Sequence, residues 1–418
     1  MDTSTTTGAE QEPRGGRWAL TVLTLGAFTL GTGEIMIAGL LPDIAAAAGV
    51  RLSTAGLLVS VFAATVVLGG PVLALTTGTV GRRRLLAVFL ALFVAGNAGA
   101  ALTSSFAVLM GARVAAALAH SALMPLLVAL AVDVVPEHRR GTAVARVSLG
   151  LSLAMIVGLP LGTAVGHRLS WRAAFCAVAL LACAATWPLL RVAGRAAAPV
   201  PGGRTAELRV LGDRRVQSVV AVTVLSAAAA FTAYTYITPL LTDGVGFGTS
   251  TVTALLLLFG IGGTLGNLLG GRLADRSVTR AVCAGVAVLA TALLALGAST
   301  ASRPLAVIVL LVFGGAYYAV IPAVNTRMVA VASDRAWTLA LTVQSSAFNL
   351  GIAVGGWLGG QVIAAGAALR WVPVTGGLVA LLALAVALAE HHGRHRRIAP
   401  AQAVRAAEDR DAMREVTA

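Results

Sequence analysis

Glu34, Arg113 and His120 are the residues of this chain whose types and settings could do chemistry. Glu34 stands in the run G-T-G-E-I-M-I-A-G-L-L-P, and the other two in F-A-V-L-M-G-A-R-V-A-A-A-L-A-H, residues 106 to 120. A charged side chain in the middle of a bilayer costs about 3 kcal/mol or more unless it is paired, hydrated or neutralised. A carboxylate whose surroundings alternate between dry and wet can take up and release a proton. A guanidinium keeps its charge and therefore needs a partner, while an imidazole can pass a proton on. His120 lies two helical turns beyond Arg113 on the same face, where it either relays a proton or serves as a hydrogen-bonded packing residue. Glu34 could equally be one arm of a fixed ion pair. At about 1.5 Å per residue, Glu34 on an ascending first helix and Arg113 on a descending fourth both lie roughly 10 Å below the outer face, so the two could meet.

The elements that must hold these residues are dictated by composition. The chain has 418 residues, 58% of them hydrophobic and 11% charged, with a mean hydropathy of +0.88. Ordinary globular chains carry about 25% charged residues, so a soluble enzyme is excluded and a polytopic membrane protein is indicated. A bilayer core needs about 20 apolar residues per helix. Such windows run over 18–41, 55–77, 85–103, 107–131, 142–166, 173–191, 216–241, 251–273, 280–299, 304–328, 337–363 and 371–389. The first is too long for a signal peptide and carries Glu34, so it is expected to stay in the mature chain. Arg113 is read as the sole arginine within a span.

All 31 basic residues are Arg, against 17 acids. Positive residues mark cytoplasmic loops. With both termini inside, 25 arginines, Arg327 among them, fall on the cytoplasmic side and five (Arg51, Arg168, Arg172, Arg303, Arg370) on the other. Lipid headgroups account for this charge, and no nucleic-acid partner is implied. The three cysteines, Cys176, Cys183 and Cys283, fall in apolar stretches and read as packing residues rather than a disulfide framework.

The break at 192–215, with Pro199, Pro201, Gly202 and Gly203, separates two sets of six spans, 18–191 and 216–390, flanked by cytoplasmic tails 1–17 and 391–418. The halves repeat at an offset of 197: Pro42 falls on Pro239, Gly158 on Gly355, Gly162 on Gly359, and the turn Gly78–Arg84 on the turn at Asp275. The fold class is therefore all-α, twelve transmembrane helices in two pseudo-symmetric six-helix bundles, an architecture of many secondary transporters. In the fifth span Gly158, Gly162 and Gly166 repeat at one turn with Pro160 between the first two, which suits close helix approach and a hinge or seal. Gly351, Gly355 and Gly359 repeat the pitch in the eleventh. Asp275 could pair with an Arg across the half-interface or merely mark topology. The tail H-H-G-R-H-R-R, 391 to 397, reads as a headgroup-binding stop signal rather than a metal site.

These residues resemble the major facilitator superfamily, and within it the twelve-span drug:proton antiporters on the branch of chloramphenicol exporters and arabinose-type sugar efflux permeases. The resemblance covers nearly all of 18–390. It rests on G-T-G-E-I-M-I-A-G-L-L-P-D-I (31–44), G-L-P-L-G-T-A-V-G-H-R-L-S-W-R-A-A-F (158–175), Y-T-Y-I-T-P-L-L (234–241), G-N-L-L-G-G-R-L-A-D-R (266–276) and S-S-A-F-N-L-G-I-A-V-G-G (345–356). It implies that Glu34 is the first-helix acid of proton coupling and cation recognition, and that Arg113 is the fourth-helix Arg of the coupling motif. By the same resemblance Gly158, Pro160, Gly162 and Gly166 form the antiporter motif, and Asp275 and Arg276 belong to the loop motif after the eighth helix. The first-half copy of that loop departs from the pattern: Gly78 and Thr79 stand where Asp and Arg are expected, and Gly81, Arg82 and Arg83 are kept.

The expected function is a proton-coupled exporter of a small amphipathic compound, chloramphenicol-like, working by alternating access. It would act as a monomer in the bacterial inner membrane with the proton gradient as its energy source, without cofactor or metal. A cavity lined by the first, fourth, seventh, tenth and eleventh spans would present Glu34, Tyr234, Tyr236, Asn325, Gln344 and Asn349, with Asn267 of the eighth nearby. Sugar or metabolite efflux is the alternative transport reading, which few intramembrane amides and 5% aromatic content disfavour. A membrane-embedded enzyme or receptor would need a nucleophile, base or metal constellation, and no G-x-S-x-G or clustered intramembrane His and Asp is present.

Overall fold

The computed structural model describes residues 14–77, 80–136, 139–193, 212–299, 302–331 and 337–390, and every described element is helical. Gly78, Thr79, most of the 192–215 connection and the 391–418 tail lie outside the described residues. Among the described residues twelve helices are long and apolar enough to cross a membrane. Helices are the natural solution for such segments, because each satisfies its own backbone hydrogen bonds where no water can. Large apolar side chains stay exposed along them, among them Leu68, Leu102, Leu180 and Trp187. Lipid is the solvent such faces fit.

The described residues form two compact units, one from Met1–Gly202 with Thr249–Leu257 and the other from Gly203–Gly248 with Leu258–Ala418. The first holds α1 (Arg14–Ile35), α2 (Ile37–Ala48), α3 (Leu52–Thr76), α4 (Arg82–Leu102), α5 (Phe106–Asp133), α6 (Arg140–Leu153), α7 (Leu159–Arg168) and α8 (Trp171–Ala193). The second holds α9 (Arg214–Tyr234), α10 (Ile237–Pro239), most of α11 (Thr249–Arg276), α12 (Val278–Ala298), α13 (Arg303–Val331), α14 (Trp337–Ala364) and α15 (Trp371–Glu390).

Among the described residues three spans are interrupted, each with a proline further along, while Pro71, Pro125, Pro188 and Pro322 lie inside continuous helices. The first breaks at Met36, between α1 and α2, ahead of Pro42. The seventh breaks at Thr235 and Tyr236, ahead of Pro239, and continues as a π turn over Leu240–Gly244. In the fifth span a π turn over Ala154–Gly158 joins α6 to α7, the Leu159 N–H reaching back to the Ala154 carbonyl. Pro160 has no N–H for the carbonyl four residues before it, and an extra residue per turn is one way a helix absorbs that loss.

Within each unit glycines seat the interrupted spans. A Cβ on Gly150 would meet Ala27 at 2.9 Å, and one on Gly162 would meet Met36 at 3.0 Å; Gly158 and Gly166 press against Thr32 and Leu40. In the second unit Gly351 faces Ala227, Gly355 would meet the Thr232 backbone nitrogen at 2.9 Å, and Gly359 meets Tyr236 at 2.8 Å. The close approach expected of the fifth and eleventh spans is thus present in both. A third ladder was visible in the sequence only as composition: Gly262, Gly266 and Gly270 of α11 lie on the backbone of α13 at Leu311, Gly315 and Ala319. A Cβ on Gly266 would sit 2.6 Å from the Gly315 Cα, backbone that cannot swing aside. Gly266→Ala is therefore expected to destabilise the fold by about 1–3 kcal/mol, the usual cost of overpacking. Gly271→Ala, five residues on, meets nothing within 4 Å and should leave the unfolding midpoint in detergent unchanged or higher. Equal midpoints for the two variants would contradict the packing described.

Candidate functional site

The break at Met36 exposes the last turn of α1, and Arg113 is placed to use it. The guanidinium of Arg113, buried to 2% exposure on α5, donates from Nη1 to the Gly33 carbonyl at 2.8 Å and from Nη2 toward the Glu34 carbonyl at 3.5 Å. Carbonyls at a helix end lack intrahelical donors, so a buried cation finds acceptors there without needing a carboxylate. Its other faces lie over Phe62 of α3, 4.2 Å from the ring centroid, and Phe175 of α8 at 6.0 Å. Gly33 allows this approach by lying against Phe93 and Val178, where a Cβ would come within 2.9 and 3.1 Å.

Glu34 and Arg113 therefore meet, as depth counting along the two helices suggested, but through the backbone. The carboxylate itself faces His120: His120 Nε2 lies 3.5 Å from Glu34 Oε2, the two side chains being 9% and 21% exposed. Phe62 packs edge-on to the imidazole with centroids 5.6 Å apart and so touches both His120 and Arg113. Neither Phe62 nor Phe175 was singled out in the sequence, since an aromatic in an apolar run carries no signal of its own. What the arrangement offers is a partly exposed acid, an imidazole in contact with it, and a fixed positive charge anchored one carbonyl away.

The remaining candidates lie in the second unit and do not gather at one point. Tyr236 is fully buried and its hydroxyl donates to the Gly356 carbonyl at 3.1 Å, which makes it a packing residue between α9–α10 and α14. Tyr234 is buried in an aromatic cluster with Phe231 at 5.1 Å and Phe259 at 5.3 Å, which Tyr317 and Tyr318 extend. Gln344 is buried and donates to Thr223 Oγ1 at 2.8 Å. Asn349 donates to the Ser345 carbonyl of its own helix at 3.0 Å. Asn325 is half-buried on α13, and Asn267 is exposed on α11.

At the helix ends, Arg82 forms an ion pair with Asp133, joining the start of α4 to the end of α5. Arg83, Asp275 and Arg276 are exposed. The reading of Arg113 as the sole intramembrane arginine is corrected by Arg327, counted above with the cytoplasmic loops. It lies inside α13 at 4% exposure, 2.5 Å from Glu390 Oε1 at the end of α15. Ser218 of α9 donates to the other carboxylate oxygen. Asp133, Arg327, Ser218 and Glu390 were all missed, because a charge near a helix end can snorkel out or turn in and sequence position does not tell which. Among the described residues no three His, Cys, Asp or Glu side chains gather as a metal site. The histidine-rich stretch 391 to 397 lies outside them.

Comparison with known proteins gives four results. The sequence pattern of the Major Facilitator Superfamily matches residues 23–336. The chain is 38% identical over 367 residues to the inner membrane transport protein YdhP of Escherichia coli K12, covering 88% of this chain and 94% of that one. It is 36% identical over 341 residues to a chloramphenicol resistance protein of Streptomyces lividans, covering 80% and 86%. Among solved structures, a bacterial homolog of the human lysosomal transporter Spinster, inward-facing and occupied, superposes with a TM-score of 0.75 at 16% identity, covering 90% of this chain and 97% of that one.

Proposed function

Because the chain belongs to the Major Facilitator Superfamily and is a multi-pass membrane transporter, we propose that it is a proton-coupled antiporter exporting a small amphipathic compound of chloramphenicol type across a bacterial inner membrane. The observation that carries this reading is the contact between Glu34 and His120 beside the anchored Arg113. Glu34 is the acid that exchanges a proton with the open side, and its partial exposure gives it access to water. Arg113 positions the broken end of α1, so that whatever moves the first span moves the carboxylate. The glycine contacts of Gly158, Gly162 and Gly166 with the first span supply a tightly apposed pair through which alternating access would act, with both termini on the Arg-rich cytoplasmic side. No cofactor takes part; the proton gradient drives export.

The relative named for chloramphenicol resistance supports a drug as substrate over a sugar. So does the fate of the amide and tyrosine candidates, since Tyr236 and Gln344 already bond within the protein and sugar recognition needs free hydrogen-bonding groups. The test uses everted vesicles carrying the wild-type chain. Labelled chloramphenicol should accumulate under a proton gradient and return to the level of chain-free vesicles when an uncoupler collapses it. Accumulation that survives the uncoupler would remove proton coupling.

A further inference from the structure

We infer that the half-exposed ring of Tyr318, at the edge of the second unit's aromatic cluster, is where the exported compound lays its aryl group. This rests on the export reading above for the compound and names the part of it that is recognised. The offset of 197 between the halves leads to the site. It holds in contacts as well as in sequence: Gly69 of α3 lies against Leu118 of α5, and Gly266 of α11 against Gly315 of α13. On the same offset Glu34 falls on Phe231, Phe62 on Phe259, Arg113 on Leu310 and His120 on Tyr317. The contact of Glu34 with His120 at 3.5 Å in the first unit has as its counterpart in the second a ring contact of Phe231 with Tyr317, centroids 5.9 Å apart. Where one bundle keeps ionisable groups, the other keeps rings, and α9, α11 and α13 carry charge only toward their ends. Such a place suits an uncharged, polarisable group.

Six rings gather there: Phe231, Tyr234, Phe259, Phe313, Tyr317 and Tyr318. Five are buried, and Tyr318 alone is half-exposed. Its ring stands nearly perpendicular to those of Tyr317, 5.0 Å away, and Phe259, 6.4 Å away. It also lies on Gly263 of α11, where a Cβ would meet Cδ2 at 2.8 Å. These neighbours fix the attitude of the ring before any ligand arrives, and a preorganised ring loses little freedom on binding. The face of a phenol ring is electron-rich and that of a nitrophenyl ring electron-poor, so offset stacking of the two is favoured by about two- to tenfold in affinity beyond the area they bury.

The test measures binding to purified protein in detergent, where no gradient is needed, with chloramphenicol and an analogue bearing cyclohexyl in place of nitrophenyl. Wild type should bind chloramphenicol about fivefold tighter than the analogue. Tyr318→Leu should lose most of that preference and Tyr318→Phe should keep it, which isolates the contact of ring with ring. A tyrosine that only fills space would weaken both probes alike, and an unchanged ratio in Tyr318→Leu overturns the proposal. Should that variant fail to give monodisperse protein, photolabelling of wild type decides. The chloramphenicol analogue with an azide in place of the nitro group should label peptides of α11 or α13 around Gly263 and Tyr318, and excess chloramphenicol should block the label. Label confined to other helices overturns the site. Wild type that binds neither probe overturns this site and the chloramphenicol reading together. Binding with an unchanged ratio overturns the site and leaves the export reading standing, whereas accumulation that survives the uncoupler removes proton coupling and leaves the site.

Discussion

Glu34→Gln is expected to reduce gradient-driven export of chloramphenicol in everted vesicles by about a hundredfold or more, the scale on which removing a proton-transferring group acts. Glutamine keeps the shape of the side chain and can still hydrogen-bond His120 across the 3.5 Å gap seen for the acid, but it cannot take up a proton. Arg113 bonds the backbone carbonyls of Gly33 and Glu34 rather than the carboxylate, so its anchorage survives the change and the first span keeps its break. The loss should therefore fall on coupling and not on folding. Exchange of labelled for unlabelled chloramphenicol at equal concentrations on both sides, which needs no net proton movement, should persist in the variant. Export unchanged in Glu34→Gln would sink Glu34 as the coupling acid, and loss of exchange together with export would move it from coupling to substrate binding.

Much of this arrangement was legible in the sequence, and the reasons are physical. Spans are readable because a bilayer demands about twenty apolar residues in a row, and twelve such helices are present among the described residues. The interruption of the fifth span is readable because proline removes a donor and Pro160 closely follows the π turn, but Pro71, Pro125, Pro188 and Pro322 lie inside continuous helices, so proline alone does not mark a break. Glu34 and Arg113 stood out because charge in lipid is rare. Their mode of contact did not, since a backbone carbonyl is the same in every residue and only coordinates show that a helix break has freed one for Arg113. The candidate substrate residues were chosen by polarity alone, and polarity cannot separate a tyrosine that faces a cavity from Tyr236, whose hydroxyl closes on the Gly356 carbonyl. The same blindness at helix ends hid the pair formed by Arg327 and Glu390.

That pair sets the largest expected effect on stability. Arg327 is 4% and Glu390 14% exposed, so each has been taken out of water and each relies on the other. Removing one partner leaves a buried charge without compensation, which costs about 3–5 kcal/mol. Arg327→Met and Glu390→Gln should each lower the unfolding midpoint of the protein in detergent by an amount of that order. Glu390→Gln should be the more harmful, because Ser218 can still satisfy a lone carboxylate whereas Arg327 Nε and Nη1 already lack acceptors. The double variant Arg327→Met with Glu390→Met should recover most of the loss, since an apolar pair of similar volume removes the desolvation burden from both sides. The corresponding change at Arg82 and Asp133, both 22% exposed, should cost only about 1 kcal/mol because water still reaches them. Additive losses in the Arg327 and Glu390 double variant would mean that the two charges do not depend on one another, and the ion pair would then be a contact without energetic weight.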